Sequence, residues 1–375
     1  MKIVQLAPSV YPVDIGGIEN HVYNLSHELV KKGCELEILT NKGRYDICIS
    51  GDLVLKEKMS MHRFLKYLLT QKFDIIHIHG LGTSFKIIRT ISALLISRLR
   101  MKRVVFTPHG SIDMIVSSSR RDIKSRLFVK FLKCFFKSAK FICVNPWQKF
   151  LLYGIIPKEN VLFIPNGIPD SAFSNTSNNY SSFIEKYGLH NKRIICYVGR
   201  LIPSKRVSDM IYVMDKIRNQ YGMKNVHFII AGPAESGYVF ALRNMVNKHE
   251  CKDCVTFLGK ISENEKYQLL GCTEIFVSPS SWEAFGISLC EAMAKGIPVV
   301  SADNIGARYL LGRGKYGLLY DIGNVNQLLE KILYLLDNPR EAKRIGNEGR
   351  KRATLFKWSR VVNEVERVYA ELVQK

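Results

Sequence analysis

Short apolar runs alternate along this chain with longer segments whose apolar residues recur at helical spacing. The first run, Lys2 to Leu6, is followed by a glycine-bearing loop and then by Ile18 to Lys32. In that second segment Val22 and Leu25 begin an apolar face with helical periodicity. Another apolar run, Leu36 to Leu39, comes next. Strand, loop, helix and strand in this order predict a parallel sheet covered by helices.

The same alternation continues along the chain and restarts once. Further strands are predicted over Asp74 to Ile78, Val104 to Thr107, Phe141 to Val144, Val161 to Ile164, Ile194 to Val198, Val226 to Ile230, Val255 to Leu258, Ile275 to Ser278 and Pro298 to Ser301. Ser359 to Val373 is predicted to be a final amphipathic helix. The fold class is therefore α/β, with two doubly wound, Rossmann-like units in series, facing each other across a cleft.

A polar stretch marks the boundary between the two units. With 375 residues, the chain exceeds the size at which a single core keeps growing. Ser171 to Ser182 is rich in Asn and Ser, which is typical of a linker. We predict a first domain over residues 1–170, a linker over 171–190 and a second domain over 191–357.

Positive charge is the least ordinary property of the composition. Lys and Arg number 55 against 33 Asp and Glu, which gives a net charge of +22. Residues 1–165 hold 26 basic and 12 acidic residues, so the excess is concentrated in the first half. Such a field favours a polyanionic partner, which can be a nucleic acid, an anionic membrane or a phosphate-bearing substrate.

The cysteines and the apolar runs indicate the compartment. The nine cysteines are scattered, and most lie in apolar runs, which predicts reduced, buried thiols. Cys251 and Cys254 form a CxxC beside His249, which we interpret as a loop before a strand. Metal or redox chemistry is the alternative, although no second pair completes a zinc site. Because no run suits a membrane span or a signal peptide, we expect a cytoplasmic protein.

Two acidic residues are prominent in the segment from Ser281 to Val300. Glu283 lies in a loop after an apolar run, and Glu291 lies inside the helix predicted to follow. A helix start suits a phosphate, whereas acids beside it suit hydroxyl groups, so together they predict a nucleotide-sugar. Since Glu291 has apolar neighbours and is costly to bury unpaired, we expect it to face the cleft and bind ribose hydroxyls. A surface glutamate is the alternative.

Basic residues and glycines follow other predicted strands. Arg200 ends the first strand of the second half, and Lys205 comes soon after. A forked guanidinium and an ammonium point charge suit a diphosphate, and a solvated basic loop is the alternative. Gly16 and Gly17 separate the first strand from its helix, where glycine lets the backbone approach a ligand. They do not form a GxGxxG motif, and a plain turn is the alternative.

Three histidines lie at predicted strand ends. His77 and His79 share one face of a strand, so a metal pair is conceivable. No carboxylate or third histidine is near them in sequence, and we expect them to be packed or hydrogen-bonded. His109 follows its strand directly, at the end where parallel sheets bind ligands, and is the better functional candidate.

Together these segments resemble the retaining glycosyltransferases of the GT-B fold, in the large fourth sequence family, the glycosyl transferases group 1. The matching segments are GGIENHVYNLSHELVKKGCELEILT, DIIHIHG, VVFTPHG, IPNGI, YVGRLIPSK, IIAGP, FLG and SPSSWEAFGISLCEAMAKGIPVV. They cover nearly the whole chain in the expected order. The resemblance implies two Rossmann-like domains, with residues 358–375 returning to the first as a helix.

The resemblance also implies a role for each matched donor-site residue. Arg200 and Lys205 neutralise the donor diphosphate as it leaves. Glu291 binds the ribose, and Glu283 contacts the donor sugar near its reacting end. The family is metal-independent and uses no cofactor, because the nucleotide-sugar is a co-substrate.

Other matched residues complete the implied site. The N–H groups of Phe285 and Gly286 hold a phosphate, and Gly17 closes over it from the first domain. His109 lies beside the sugar, and Asn166 with Gly167 marks the crossing between domains. One departure concerns Arg308, which stands where relatives often carry an acid.

The segment from Arg120 to Lys140 holds eight basic residues and one acid. Arg126, Lys130, Lys133 and Lys137 fall on one helical face, and large apolar residues fall on the others. This pattern favours docking on an anionic membrane surface, and a solvated helix packed on the sheet is the alternative.

We therefore predict a retaining glycosyltransferase at the inner face of the plasma membrane. It would transfer a hexose or related sugar from a nucleotide-sugar to a glycan acceptor, lipid-linked, in cell-surface polysaccharide assembly. One alternative is a soluble transferase with a small phosphorylated acceptor. The other is a basic nucleic-acid-binding protein, which gives no reason for Glu283, Glu291, Arg200 and Lys205 to lie at strand ends.

Overall fold

The structure of the chain is a computed structural model. It describes residues 1–14, 16–48, 50, 52–80, 84–110, 139–174 and 180–374. The described residues divide into two compact units, Met1–Gly167 with Trp358–Lys375, and Ile168–Lys357. The chain passes from one unit to the other immediately after Asn166 and Gly167.

The first unit is built on a sheet whose eight strands have the order β4-β3-β2-β1-β5-β6-β7-β8 within the described residues. The strands are β1 Lys2–Leu6, β2 Glu35–Leu39, β3 Gly43–Ile47, β4 Leu53–Lys58, β5 Ile75–His79, β6 Arg103–Thr107, β7 Lys140–Cys143 and β8 Val161–Phe163. The helices are α1 Gly17–Lys31, α2 Met61–Thr70, α3 Ser84–Leu99, α4 Pro146–Tyr153 and, from the C-terminus, α13 Trp358–Gln374.

This first sheet has a hydrophobic core on each face. One core includes Phe64 of α2, Leu94 of α3 and Leu152 of α4. The other includes Leu25 of α1 and Tyr369 of α13. The C-terminal helix therefore packs in the first unit, as the resemblance implies. Helices on both faces make the unit doubly wound.

Strands β3 and β4 were not among the predicted strands. They pair antiparallel, β2 with β3 and β3 with β4, and extend one edge of an otherwise parallel sheet. The residues of β4 are LVLKEK, and all six are at least partly exposed. A charged edge strand lacks the apolar run by which the buried strands were recognised, and its charges discourage pairing with another chain.

The second unit has six strands in the order β11-β10-β9-β12-β13-β14 within the described residues, and all of its strand pairs are parallel. The strands are β9 Arg193–Val198, β10 Val226–Ala231, β11 Val255–Gly259, β12 Ile275–Ser278, β13 Val299–Ala302 and β14 Leu318–Tyr320. The α-helices are α5 Tyr180–Lys186, α6 Ser208–Asp215, α7 Ser236–Lys248, α8 Glu263–Gly271, α9 Ile287–Ala294, α10 Ile305–Leu310, α11 Val325–Asp337 and α12 Pro339–Ala353.

The predicted linker differs from the structure. Over its described residues, segment 171–190 belongs to the second unit, where Ala172, Phe183 and Leu189 are buried in the core. Helix α5 accounts for Phe183. The stretch is rich in Asn and Ser, but a few apolar residues pack in the core and stabilise its ordered conformation.

Two predictions about membranes meet this structure differently. No helix of the described residues is long and apolar enough to cross a bilayer. The basic segment lies outside the described residues over 120–138, so its membrane docking stays a prediction.

Candidate functional site

The donor-site candidates of the second unit follow two neighbouring strands. Arg200 and Lys205 come after β9, and Glu283 comes after β12, which pairs with β9. The chain leaves β9 for β10 on one side and leaves β12 for β13 on the other. Ligands of open α/β sheets bind at such a reversal, outside the carboxyl ends of the strands. The predicted residues therefore share the position that the topology favours.

Hydrogen bonds fasten the two loops to each other. The backbone N–H and the hydroxyl of Ser281 both donate to the carbonyl of Ser204, each at 2.9 Å. The Lys205 ammonium donates to Oε1 of Glu283 at 2.5 Å, and the Ser280 hydroxyl donates to the same oxygen at 3.0 Å. The structure thus brings Lys205 and Glu283 into direct contact, as a largely buried ion pair.

Arg200 shares this neighbourhood and is exposed. The Tyr197 hydroxyl donates to the Arg200 carbonyl at 3.0 Å. Burial raises the pKa of Tyr197 well above its usual value, the charge of Glu283 raises it further, and Arg200 opposes the shift. Among the described residues the Arg200 guanidinium has no ion-pair partner. One cation of the loop is therefore held by an acid while the other remains available to an anion.

The start of α9 presents backbone donors beside Glu283. Gly286 precedes the helix with φ 96°, a left-handed conformation that favours glycine. The amide groups of Phe285 and Gly286 donate to no acceptor among the described residues. The Phe285 ring is buried against Phe356, with ring centroids 5.4 Å apart. A buried ring fixes these two N–H groups at a helix start, which is the arrangement that binds phosphate.

Glu291 is buried and already paired within the second unit. It is 4 % exposed and does not present an unpaired carboxylate. Its Oε1 accepts from the Lys266 ammonium at 2.7 Å and from the Tyr267 hydroxyl at 3.3 Å. The cost of burying a charge was correctly judged, and the ammonium of Lys266 from α8 offsets part of it. Oε2 has no donor among the described residues and is not completely enclosed.

Lys266 is the residue of this site that sequence reasoning missed. It is 7 % exposed and bridges Glu291 to Glu263, its second partner at 2.7 Å. A signal was present, because Ser262 and Glu265 form a capping box that fixes where α8 begins. From that start, helical spacing puts Lys266 on the face of Leu269 and Leu270, which are buried.

In the first unit the candidate residues also gather where the strand order reverses. This reversal lies between β1 and β5. Helix α1 begins at Gly17, and Gly16 precedes it in an extended conformation. A small concavity at the strand ends is lined by residues that include Pro8, His79 and Gly80.

Four buried histidines cluster at this end of the first sheet. His79 and His109 approach with Nδ1 and Nε2 3.3 Å apart, and the ring of His21 from α1 lies 4.7 Å from that of His109. His77 is hydrogen-bonded to Tyr369 and, at 2.8 Å, to the Thr107 hydroxyl. The prediction that His77 is hydrogen-bonded is confirmed.

Burial keeps these imidazoles neutral. It lowers the pKa of His21 to about 3, although the neighbouring Asn166 side chain raises it. It lowers the pKa of His77, His79 and His109 well below the usual value, and the neighbouring histidines lower these further. A neutral ring offers one donor and one acceptor, so His109 can bind a hydroxyl group. Its own carbonyl accepts from the Gln148 side chain.

A metal ion can be considered at this cluster. One ligand atom from each of His21, His79 and His109 lies within 4.8 Å of the others, the one such group among the described residues. The lack of a third histidine nearby in sequence is therefore no argument against a metal site, because the fold brings distant histidines together. Buried Nδ1 of His21 and Nε2 of His79 have no partner among the described residues. A bound water would satisfy them as an ion would.

The CxxC lies in the turn between α7 and β11, so its interpretation as a loop before a strand is confirmed. Both thiols are buried, and each donates to a backbone carbonyl, Cys251 to His249 and Cys254 to Cys251. The eight cysteines in the described ranges are all free of disulfides.

Two family models together match most of this chain. The chain matches the model of Glycosyltransferase Family 4 over residues 15–172 and the model of Glycosyl transferases group 1 over residues 180–352. An uncharacterized glycosyltransferase of Methanocaldococcus jannaschii is 29 % identical over 385 residues, covering 99 % of both chains. The phosphatidyl-myo-inositol mannosyltransferase of Mycobacterium leprae is 22 % identical over 390 residues, covering 98 % of this chain and 96 % of the relative.

A solved structure supports the fold independently. HepE of Anabaena, in complex with UDP-glucose, superimposes with a TM-score of 0.80 at 19 % identity, over 99 % of this chain and all of that one. The two Rossmann-like units and the C-terminal helix in the first unit agree with this fold. This chain belongs to the group 1 glycosyltransferases and has the GT-B fold.

Proposed function

We propose that this glycosyltransferase moves a sugar from a nucleotide-sugar to a glycan acceptor with retention of configuration. The observation that carries the donor half is the set of groups at one strand reversal. Lys205 is paired with Glu283, Arg200 is uncommitted, and the amides of Phe285 and Gly286 point from a helix start. Two cations and free amides suit a diphosphate, and an adjacent acid suits sugar hydroxyls.

The chemistry follows from where charge develops. Breaking the bond between sugar and diphosphate leaves negative charge on the departing phosphate, which fixed cations stabilise. The Lys205 ammonium has three N–H donors, and Glu283 takes one of them. These cations can replace a metal ion, which is why we propose metal-independent transfer. Transfer that persists in excess EDTA supports this, and loss that Mg²⁺ or Zn²⁺ restores contradicts it.

Glu283 acts in this proposal by position and charge, not as a covalent nucleophile. Its Oε1 already accepts from Lys205 and Ser280. An oxygen neutralised by an ammonium is a weak nucleophile, but it fixes the carboxylate beside the reacting sugar. In this proposal Glu291 offers Oε2 to the ribose, and the neutral imidazole of His109 binds a sugar hydroxyl.

A screen of nucleotide-sugars tests the donor half. UDP-, GDP-, ADP- and dTDP-sugars would be assayed for slow hydrolysis and for thermal stabilisation of the whole chain. A donor at about 100 times its Kd raises the free energy of unfolding by about 2.7 kcal/mol. Stabilisation by at least one donor, lost in the Arg200→Ala variant, is the expected result. No stabilisation by any donor contradicts the proposal.

For the acceptor we propose a lipid-linked glycan in cell-surface polysaccharide assembly, such as lipopolysaccharide O-antigen, capsule or exopolysaccharide. One relative is named for mannosyl transfer to phosphatidyl-myo-inositol. In the first unit, Leu95 and Leu99 of α3 and Trp147 and Phe150 of α4 are exposed. Apolar side chains on a strongly basic half suit the cytoplasmic face of an anionic membrane.

Vesicle co-sedimentation tests this acceptor surface. We expect binding to vesicles with 30 % phosphatidylglycerol and little binding to pure phosphatidylcholine. Replacing Arg126, Lys130, Lys133 and Lys137 with Gln should abolish the difference, whereas Lys343→Gln in the second unit should not. Equal binding to both vesicles contradicts the proposal.

The second candidate is a soluble transferase with a small phosphorylated acceptor. The charge excess of the first half favours it equally, since a sugar phosphate is also an anion. Transfer to a sugar phosphate in the absence of lipid, unchanged by the four Gln substitutions, would select this candidate.

A further inference from the structure

An ion pair between α8 and α9 is buried, and a contribution to stability does not by itself explain why it is there. Lys266 and Glu291 have side chains 8 % and 5 % exposed, with 2.7 Å between Nζ and Oε1. Their burial in a folded core is expensive, and an apolar pair of the same size is often equally stable. The pair leaves Oε2 of Glu291 without a protein donor among the described residues.

We propose that Lys266 is a positioning residue for the donor, whose ammonium keeps the Glu291 carboxylate ionised and oriented so that Oε2 accepts from the ribose hydroxyls. The inference rests on the proposed function, because it takes Glu291 as the ribose ligand. Lys266 itself need not touch the nucleotide.

The groups around Glu291 define what sets its charge. Lys266 and the Tyr267 hydroxyl face it from α8, Glu263 adds a second negative charge there, and Cys290 is its neighbour on α9. Burial raises the pKa of Glu291 most, Lys266 lowers it, and Glu263 raises it. Lys266 is thus the one cation among these groups. Without it, the carboxyl group takes up a proton at higher pH.

A protonated Glu291 would be a poorer acceptor for two vicinal hydroxyls. Donor affinity should therefore fall as the pH drops through the pKa of Glu291, and removing Lys266 should move that fall to higher pH. Each pKa unit above the assay pH reduces the ionised fraction about tenfold. The ribose contribution to affinity should shrink with it.

The test measures nucleotide binding by calorimetry from pH 5.5 to 8.5. The probes are UDP and GDP with their 2′-deoxy and 3′-deoxy analogues, so that discrimination between ribose and deoxyribose isolates the contact at Glu291. The variants are Lys266→Gln, Lys266→Arg, Glu291→Gln and the double Gln variant. Lys186→Gln is the matched control, because Lys186 pairs with Glu265 of the same helix but is 58 % exposed.

We expect Lys266→Gln to weaken binding about tenfold near pH 6, to shift the pH profile upward by a unit or more and to lose most ribose discrimination. Lys266→Arg should restore it, Lys186→Gln should match the wild type, and Lys266→Gln should add nothing in the Glu291→Gln background. The double variant removes both charges together and so leaves no unpaired buried charge. Its binding can therefore be compared with that of Glu291→Gln even if Lys266→Gln alone folds poorly. Thermal unfolding confirms folding in each case.

Two outcomes separate this inference from the proposed function. If Glu291→Gln loses ribose discrimination while Lys266→Gln keeps it with an unchanged pH profile, Lys266 has no positioning role and the donor site stands. If Glu291→Gln also keeps discrimination, or if neither nucleotide binds the wild type, the ribose role fails and this inference fails with it.

Discussion

The two units differ in the side chains that they place at the strand reversal of their sheets. At the strand reversal of the first sheet, His21, His79 and His109 are buried and neutral. At the reversal of the second, Lys205 and Glu283 contact each other as an ion pair. The contrast shows two ways of placing a titratable group at a candidate ligand site. One unit removes the charge by burial, and the other compensates it.

The largest expected difference between the units is their response to acid. The four histidines have folded pKa values below the unfolded value of 6.5. As the pH falls below 6.5, the unfolded chain takes up protons that the folded chain does not, so stability is lost. Each histidine contributes about 1.4 kcal/mol per pH unit below 6.5, and the four lose roughly 5 kcal/mol between pH 7.5 and 5.5.

Urea unfolding of a Trp282→Phe variant measures this loss in the first unit alone. Its remaining tryptophans, Trp147 and Trp358, both lie there. His79→Gln should remove about a quarter of the pH dependence. His190→Gln, in an exposed position of the second unit, should not change it. A first unit equally stable at both pH values would show that the histidines do not remain neutral when folded.

The next effect concerns the helix that closes the first unit. Trp358 is 2 % exposed and meets the ring of His21 edge-on, with centroids 5.2 Å apart. We expect Trp358→Ala to lower the free energy of unfolding of this unit by about 3–5 kcal/mol. Trp147→Ala, at a site that is 51 % exposed, should change it by about 0.5 kcal/mol or less. Similar losses of unfolding free energy in both variants would show that α13 does not pack in the core of the unit.

In the second unit the main effect should fall on turnover and not on stability. We expect Lys205→Ala to reduce kcat/KM about 10²- to 10³-fold, because a fixed cation at the departing phosphate is lost. Glu291→Ala should weaken donor binding severely, and Lys186→Ala should leave transfer unchanged. Near-normal transfer by both Lys205→Ala and Glu291→Ala, in steady-state assays of folded protein, would mean that the site is misassigned.

The smallest effect tests the start of α9. Gly286→Ala puts a side chain at φ 96°, which should destabilise the second unit by about 1–3 kcal/mol. Gly237→Ala is the control, since an added Cβ at this position of α7 would meet open space, and it should stabilise by up to about 1 kcal/mol. Thermal unfolding of both variants checks the prediction. Equal stability would mean that the helix start tolerates another conformation and does not hold its amides in place.

The features of the fold that depend on local sequence pattern could be predicted from the sequence. Buried parallel strands have continuous apolar runs, so β1, β5 and β9 were found. Strand β4 was missed because its charged residues serve a sheet edge. Short β14, LLY, was missed because three apolar residues predict nothing by themselves.

What sequence could not supply was proximity between distant residues. His21 and His79 are 58 positions apart, and only the pairing of β1 with β5 brings α1 beside that strand end. Lys266 and Glu291 belong to different helices, so the partner of a correctly suspected buried acid stayed unknown. Helix starts and strand ends can be predicted from local sequence. The partner of a buried charge is set by tertiary structure.

The central claim is that the second unit holds the donor diphosphate and ribose at the loops after β9 and β12 and between α8 and α9. Hydrogen–deuterium exchange of the whole chain, with and without the nucleotide-sugar selected by the screen, tests it most directly. The account predicts slower exchange at residues 199–206, 263–267 and 280–291, and unchanged exchange in the turn at residues 249–254. Protection confined to other segments, or no protection at a saturating donor concentration, would contradict it.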